Sequence, residues 1–451
     1  MFKPVPDVLR PSLHLALNQW QDCLNTLQAS QLPSSLQQSL EPVWAISPWI
    51  ANHCTRHPDD VLHLARSDRL LTPMPLEDYR SSLRNLTAGV RAEADWMAVL
   101  RGFRNREMLR IGWRDIAAWA DIDETLRELS WLAETCIDES LTFLFDQARA
   151  RGPVPLDAAG QPQSLLVLGM GKLGAHELNF SSDIDLIFSY REDGVLPDRN
   201  QTPYSEFYTR LARNLVKLLD ARTGEGFVFR VDTRLRPFGD SGPLVMSLDA
   251  MEIYYQGQAR EWERYAMVKA RVVAGDPTGA AELAAIIRPF VYRRYLDYRA
   301  LGELRGLKQK ITVELQRRDR LDNIKLGPGG IREIEFIGQA FQLIRGGQEP
   351  RLRQREILNV LASLGELELL PGTVVSTLTA AYRFLRRVEN RLQQYADAQT
   401  HDLPTDPLQR TGLAYALAYP DWDAFKQALD AVRREVHAVF QQVVEGSGEE
   451  G

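Results

Sequence analysis

The chain has 451 residues, of which 44% are hydrophobic and 25% charged, and a net charge of −6 at pH 7. That length is enough for about two to four domains with large cores, and the composition is ordinary for a soluble globular protein. The acidic charge argues against a protein that coats nucleic acid, and no apolar run or N-terminal pattern predicts a membrane helix or a signal peptide.

Residues 1–152 are predicted to form a helical domain. Apolar residues recur at helical spacing from Asp121 to Ala150, until the sequence RGPVP breaks the pattern. Cys23, Cys54 and Cys136 have no CxxC spacing, which predicts reduced thiols and a cytoplasmic protein. His53, Cys54, His57 and His63 match no closed tetrahedral zinc pattern, so zinc is not expected.

Residues 153–278 are predicted to form a compact α/β domain. LLVLG and DIDLIF have the composition of strands, a helical stripe begins near Tyr204, and GFVFRVDTRLRP alternates as a third strand. Gly169, Gly171 and Gly174 fit G-x-G-x-x-G, but eight residues between Gly174 and Asp183 cannot form the crossover helix of a dinucleotide-binding fold. The pattern instead predicts a strand, a Gly-rich turn, a short helix and a second strand.

Three aspartates are the predicted catalytic residues and metal ligands. Asp183 and Asp185 are two apart on a strand, so their carboxylates share one face, where they repel each other unless a cation lies between them. Asp232 is on the third predicted strand. Three carboxylates on adjacent strands can hold two Mg²⁺ ions, which serve in-line phosphoryl transfer.

Glycines and basic residues around these aspartates are the predicted ligands of a nucleotide or phosphate. Most have an alternative: tight packing for the glycines, capping for the serine, salt bridges to the same aspartates for the arginines, and solvated positions for Lys269 and Lys325. The predicted binding residues are Gly169, Gly171, Lys172, Ser182, Arg234, Arg236, Lys269 and Lys325. Arg332, on a helix after the loop LGPGG, is expected to reach the nucleotide together with Lys325.

Residues 279–445 are predicted to form a C-terminal helical bundle, and residues 446–451 a flexible tail or the start of a linker. Arginines and aromatic residues interleave near its beginning, which is typical either of a nucleic-acid surface or of helices that bury aromatics and expose charge. The acidic chain favours the second interpretation. The arginines are at positions 288, 293, 294, 299, 305, 317, 318 and 320, and the aromatic residues are Phe290, Tyr292, Tyr295 and Tyr298.

Four segments together resemble the glutamine synthetase adenylyltransferase family: GMGKLGAHELNFSSDIDLIF, FRVDTRLRPFGDSGPLV, EWERYAMVKARVV and NIKLGPGGIREIEF. The resemblance is strong from about residue 100 to 400. Members of that family carry two nucleotidyltransferase halves in tandem, whereas this chain has one catalytic unit. Its segments NFSSDIDLIF, RPFGDSGPLV and WERYAMVKAR resemble those of the N-terminal, deadenylylating half. Ala175 and His176 stand where a second glycine is common.

The resemblance implies an α+β fold, with a polymerase-beta-like nucleotidyltransferase domain between two helical domains. It implies Mg²⁺-dependent phosphorolysis of adenylyl-tyrosine on glutamine synthetase, with phosphate consumed and ADP released, as part of the regulation of nitrogen metabolism. It further implies a PII signal protein, in its uridylylated form, as a partner, and fusion to a second half. Two alternatives stay open: a nucleotidyl-adding enzyme acting on glutamine synthetase or PII, and a PII-sensing module without activity. The carboxylates alone do not give the direction of transfer.

Overall fold

A computed structural model describes residues 3–27, 32–293 and 322–446. The predicted N-terminal and C-terminal helical segments are confirmed within these ranges. Arginines 294 to 320 of the interleaved segment, together with Tyr295 and Tyr298, lie outside the described residues, as does nearly all of the predicted tail.

The described part of the N-terminal region contains seven α-helices. Their bounds are α1 Arg10–Leu27, α2 Ser34–Ile46, α3 Pro48–Arg56, α4 Pro58–Arg66, α5 Leu76–Thr87, α6 Glu93–Ile116 and α7 Ile122–Arg151. Asp121 caps α7, because its side chain accepts a hydrogen bond from the Glu124 backbone amide at 2.7 Å. The helix ends at the predicted break, where Gly152 follows.

The central segment forms a five-stranded mixed sheet with helices. In chain order it comprises β1 Leu166–Gly169, α8 Gly171–Gly174, β2 Ile184–Tyr190, α9 Tyr204–Asp220, β3 Val231–Asp232, β4 Val245–Ser247, α10 Leu248–Gly257, α11 Glu261–Met267, β5 Arg271–Ala274 and α12 Pro277–Val291. β1 is antiparallel to both β2 and β5. β3 and β4 both pair in parallel with β2 along its other edge. The predicted order of strand, short helix, strand, helix and strand is confirmed.

Alternate residues of the sheet enter two different cores. On β1, Val167 packs with α6, α7 and α9, whereas Leu166 and Leu168 pack with α10 and α12. On β2, Leu186 packs in the same core as Val167, and Ile187 packs in the same core as Leu166 and Leu168. The sheet is therefore covered by helices on both faces, and Asp183 and Asp185 lie in phase with Ile187, toward the side of α10 and α12.

After residue 322 the described chain is helical. The helices are α13 Ile331–Arg345, α14 Ile357–Glu366, α15 Gly372–Gln394, α16 Pro407–Ala416 and α17 Trp422–Gly446. They enclose a core of their own, which includes Ile334, Leu385 and Phe425. No helix in the described part of the chain is long and apolar enough to cross a membrane.

The third predicted strand is much shorter than expected. Only Val231 and Asp232 pair with β2, and the chain turns directly afterwards. Hydrogen bonds from the Arg236 amide to the Thr233 carbonyl and from the Gly239 amide to the Arg236 carbonyl close this turn. The predicted third strand therefore does not continue to Arg234 and Arg236.

The domain boundaries near residues 152 and 278 are kept as proposals. The first follows the end of α7, although α7 and the sheet share one hydrophobic core. The second falls in the first turn of α12.

Candidate active site

Two of the predicted aspartates lie side by side on parallel strands. Asp185 of β2 is in register with Asp232 of β3, and residues paired in this way project to the same face of a sheet. Asp183 comes just before β2 begins. The fold thus brings the three predicted carboxylates to one end of β2.

Arginines hold two of these three carboxylates. Arg230 Nε lies 2.6 Å from Asp183 Oδ1, and Gln399 Nε2 lies 2.9 Å from Asp183 Oδ2. Arg234 contacts Asp232 through Nε at 2.9 Å and through its terminal nitrogen at 2.5 Å. The hydrogen bond from Arg234 is also the main reason why the pKa of Asp232 is lowered. The salt-bridge alternative for Arg234 is therefore confirmed.

Asp185 is different from its neighbours. Its carboxylate has no hydrogen bond or ion pair with any residue that the structure describes. Burial, and next the Asp232 carboxylate, raise the pKa of Asp185 to about 6. A half-buried carboxylate with an uncompensated charge is costly unless a cation approaches it.

The chemistry of the three side chains suits Mg²⁺, which prefers carboxylate oxygens. Among the described residues, however, no three His, Cys, Asp or Glu side chains are grouped closely enough to hold a metal ion. Arg230 and Arg234 instead neutralise Asp183 and Asp232, whereas the Asp185 carboxylate has no ion pair among the described residues. The three carboxylates are groups that bind a divalent cation. In this structure Arg230 and Arg234 occupy two of them.

The glycines of the turn differ in what they do. A Cβ on Gly174 would lie 1.9 Å from the Lys269 carbonyl oxygen, and one on Gly169 would lie 2.8 Å from Val273 Cγ1. These two glycines are required by packing. Gly171 has a φ of +51°, and its Cβ would face Asp185 Oδ2 at 3.7 Å. Gly171 is therefore the glycine whose backbone borders the carboxylates.

The Lys172 ammonium group is held by acceptors within the protein. It donates to Asn179 Oδ1 at 3.0 Å and to Glu389 Oε1 at 2.6 Å. Burial lowers the pKa of Lys172 to about 7, although Glu389 opposes this shift.

Lys269 forms ion pairs with two carboxylates. Its ammonium group lies between Glu177 Oε2 at 2.8 Å and Glu335 Oε1 at 2.7 Å. Burial works against the charged form, but the two carboxylates raise the pKa of Lys269. Lys269 therefore borders the site as part of a buried ion network rather than as an unpaired cation.

The remaining predicted ligands divide between the turn and the cleft. Arg236 donates to the Thr233 carbonyl at 2.8 Å and so stabilises the turn after β3. The Ser182 amide donates to the Asn179 carbonyl at 3.4 Å, and Ser182 lines the cleft.

Two basic residues near the start of the C-terminal region, Lys325 in the turn before α13 and Arg332 in its first turn, are available to bind an anion. Lys325 Nζ has no hydrogen bond or ion pair with the described residues. Arg332 Nε is buried and has no hydrogen-bond partner among them either. Backbone hydrogen bonds from Ile331 to Ile324 and from Arg332 to Lys325 fix both residues beside each other.

Many of these groups line one cleft of about 420 Å³, but Gly169, Asp232, Arg234 and Arg236 are not among its lining residues. Asp183, Asp185, Lys325 and Arg332 all line it. The other lining residues are Gly171, Lys172, Ser182, Leu235, Trp262, Tyr265, Ala266, Lys269, Glu335, Gln339, Gln399 and His401. A cleft with carboxylates and unpaired cations is suited to a phosphate ester together with a divalent cation.

Sequence reasoning missed four residues of this site: Arg230, Glu389, Gln399 and His401. Arg230 stands two residues before Asp232, so strand alternation was a signal for it. The other three come from α15 and the loop after it, more than 200 positions along the chain from Asp183, and only the packing of the helices against the sheet places them here.

The mixed sheet, the Gly-rich turn and the aspartates on β2 and β3 define a nucleotidyltransferase-like α+β fold. The chain belongs to the glutamate-ammonia ligase adenylyltransferase family, whose family model matches residues 37–286. A second family model, that of the GlnD PII-uridylyltransferase, matches residues 305–444. The strong sequence resemblance is therefore confirmed at the level of the family.

Three relatives named bifunctional glutamine synthetase adenylyltransferase/adenylyl-removing enzyme are similar to this chain. The protein of Methylococcus capsulatus is 55% identical over 91% of this chain. Those of Nitrosococcus oceani and Thioalkalivibrio sulfidiphilus are 54% and 48% identical over 89% and 97% of it. The aligned regions cover 43%, 42% and 45% of these relatives, so the chain spans less than half of their length.

Proposed function

We propose that this chain removes AMP from adenylylated glutamine synthetase by Mg²⁺-dependent phosphorolysis. Inorganic phosphate attacks the adenylyl phosphorus, the bond to the tyrosine oxygen breaks, and ADP and unmodified glutamine synthetase leave. The observation that carries the proposal is one cleft that contains the Asp185 carboxylate together with Lys325 and Arg332, three groups without an ion pair among the residues that the structure describes.

The residues of the cleft have separate tasks in this reaction. Asp183, Asp185 and Asp232 would hold Mg²⁺, which supplies charge neutralisation at the phosphoryl oxygens. Lys325 and Arg332 bind the anionic phosphate groups. Trp262 and Tyr265 provide an apolar wall for the adenosine part. Phosphate is already ionised at neutral pH, so the attack requires no strong general base.

The proposed direction of the reaction is inferred from sequence motifs and not from the carboxylates. NFSSDIDLIF, RPFGDSGPLV and WERYAMVKAR resemble the deadenylylating half of the family. The relatives carry both activities in their names, and they are about twice as long as this chain. A second half with the opposite activity is accordingly a proposed neighbour in the complete protein.

A PII signal protein in its uridylylated form is the proposed regulator. The match of residues 305–444 to the GlnD PII-uridylyltransferase model supports a relation to PII signalling. We place the reaction in the cytoplasm, since Cys23, Cys54 and Cys136 are free thiols.

The same match favours one second candidate, a nucleotidyl-adding enzyme that modifies PII or glutamine synthetase. Such an enzyme needs a base for the tyrosine hydroxyl, and Asp232 would be the candidate. A module that only senses PII is a third possibility from the sequence, and an intact set of carboxylates argues against it.

The test is a comparison of wild-type protein with Asp185→Asn and with the exposed control Asp249→Asn. Adenylylated glutamine synthetase, Mg²⁺ and phosphate should yield ADP with the wild type and the control, and at least about 100-fold less with Asp185→Asn. Transfer of label from ATP or UTP to protein, without phosphate-dependent ADP, would favour the second candidate. Absence of both reactions would overturn the enzymatic proposal.

A further inference from the structure

His401 is held at the mouth of the cleft by the backbone. It belongs to the loop between α15 and α16, and its carbonyl oxygen accepts a hydrogen bond from the Ile324 amide at 2.9 Å. The neighbouring Asp402 forms a bridge with Asn323. The side chain is 20% exposed and lines the cleft that contains Asp183 and Asp185. The backbone of His401 is therefore anchored to the segment that begins the C-terminal helical region.

A buried carboxylate orients the imidazole ring. His401 Nδ1 lies 2.9 Å from Glu389 Oε1, and the Glu389 side chain is completely buried. The same carboxylate oxygen binds Lys172 Nζ at 2.6 Å. The contact with His401 is electrostatic rather than a well-aligned hydrogen bond. With Nδ1 turned toward Glu389, Nε2 has no partner among the described residues and is the nitrogen left for a substrate.

The other cationic side chains of the cleft are less suited to proton transfer. Lys172 and Lys269 are each held between acceptors, and an arginine does not release its proton in proteins. Lys325 also lines the cleft, but in the proposed reaction it binds the anionic phosphate groups, a task for which it keeps its charge. Imidazole is the side chain whose ordinary pKa lies close to neutral pH.

We infer that His401, oriented by Glu389, donates a proton to the tyrosine oxygen that leaves the adenylyl phosphorus. The inference rests on the proposed phosphorolysis. As the P–O bond to tyrosine breaks and the bond to the attacking phosphate oxygen forms, Nε2–H protonates the departing phenolate. The proton of the attacking hydrogen phosphate then restores the imidazolium. The products are ADP and a neutral tyrosine, so protons and charges balance.

The groups around the ring favour its neutral form in the free protein, and bound substrates change this balance. Burial lowers the pKa of His401, against the opposing effect of Glu389, while Lys172 and Lys325 add to the lowering. A bound adenylyl phosphate and inorganic phosphate bring negative charge into the cleft, which favours the protonated ring.

The decisive experiment varies the acidity of the leaving group. Wild-type protein, His401→Asn and His401→Gln are assayed for ADP release on adenylylated glutamine synthetase that contains either tyrosine or the more acidic fluorotyrosine. His437 is the matched control, because it lies in the same helical region, 3.0 Å from Glu333, and does not line the cleft. Circular dichroism checks that each variant is folded.

We expect His401→Asn and His401→Gln to be slowed about 100-fold on the tyrosine substrate and less than about tenfold on the fluorotyrosine substrate, since an acidic phenol needs little help in leaving. His437→Asn should match the wild type on both. Equal losses on the two substrates, or no loss, in folded His401 variants would overturn the assignment while leaving the proposed function intact. A wild type that releases no ADP from either substrate would overturn both.

Discussion

Asp185 and Asp232 face the same side of two parallel strands, in register, at the point where β2 and β3 pair. Asp232 is neutralised by Arg234, and Asp185 is not. Because of this asymmetry, a bound cation should stabilise the charged Asp185 carboxylate more than the Asp232 carboxylate.

Asp185→Asn is expected to stabilise the protein at neutral pH in the absence of Mg²⁺. The pKa of Asp185 is raised from 3.8 to about 6 by burial and by Asp232. A raised carboxyl pKa means that the folded state binds its proton more tightly, so stability falls as the pH rises from about 4 to about 6 and stays lower above that. The variant should gain about 1–3 kcal/mol at pH 7 and nothing below pH 4.

Urea unfolding across this pH range measures the effect. Asp249→Asn, an exposed aspartate on α10, serves as the control and should unfold as the wild type does. Parallel pH profiles for the wild type and Asp185→Asn would contradict the assignment of an uncompensated charge.

Addition of Mg²⁺ should raise the melting temperature of the wild type and leave that of Asp185→Asn unchanged. A ligand that binds only the folded state stabilises it in proportion to its occupancy. Thermal melts over a range of Mg²⁺ concentrations test this. An equal shift in both proteins would place the ion elsewhere.

Lys325→Gln and Arg332→Gln are each expected to raise KM for phosphate about tenfold, with a smaller change in kcat, because neither cation has an ion pair within the described parts of the chain to lose. Initial rates of ADP release at varied phosphate give both constants. Lys426→Gln is the control, since Lys426 pairs with Asp430 outside the cleft. An unchanged KM for phosphate in both cleft variants would remove these residues from the binding site.

Glu389→Gln should destabilise the fold by about 3–5 kcal/mol, since it leaves buried cations without their counter-ion. Lys172 lies 2.6 Å from Glu389, and Arg386 Nε lies 3.2 Å from it. The same substitution at the exposed Glu366 on α14 is the control. Denaturant unfolding measures both, and a loss below about 1 kcal/mol for Glu389→Gln would contradict the importance of this network.

Gly174 and Gly171, in the same turn, are required for different reasons: the first for packing and the second for its backbone conformation. Gly174→Ala brings a methyl group against the Lys269 carbonyl oxygen and should cost at least about 2 kcal/mol. Gly171→Ala has room but a positive φ, so it should cost about 1 kcal/mol. Gly372→Ala, with no atom within 4 Å of the new methyl, should cost nothing. Equal unfolding free energies for the alanine variants of Gly171 and Gly174 would refute this distinction.

The sequence predicted the strands, the short helix and the aspartates because alternation and residue counts act locally. It overextended β3, since the turn after Asp232 is set by hydrogen bonds of Thr233 and Arg236 that alternation does not reveal. It predicted Lys269 as a phosphate ligand, with a solvated position as the alternative, and could not reveal its burial, because the two glutamates that hold it come from distant segments. Gln399 and His401 were out of reach for the same reason: their place depends on tertiary packing.

The origin of the phosphate in the released nucleotide tests the central claim most directly. Adenylylated glutamine synthetase is incubated with the wild-type chain, Mg²⁺ and radiolabelled inorganic phosphate, and the nucleotides are separated. The account predicts label in the β-phosphate of ADP, and none with Asp185→Asn. Release of unlabelled AMP, or no release of nucleotide, would contradict it.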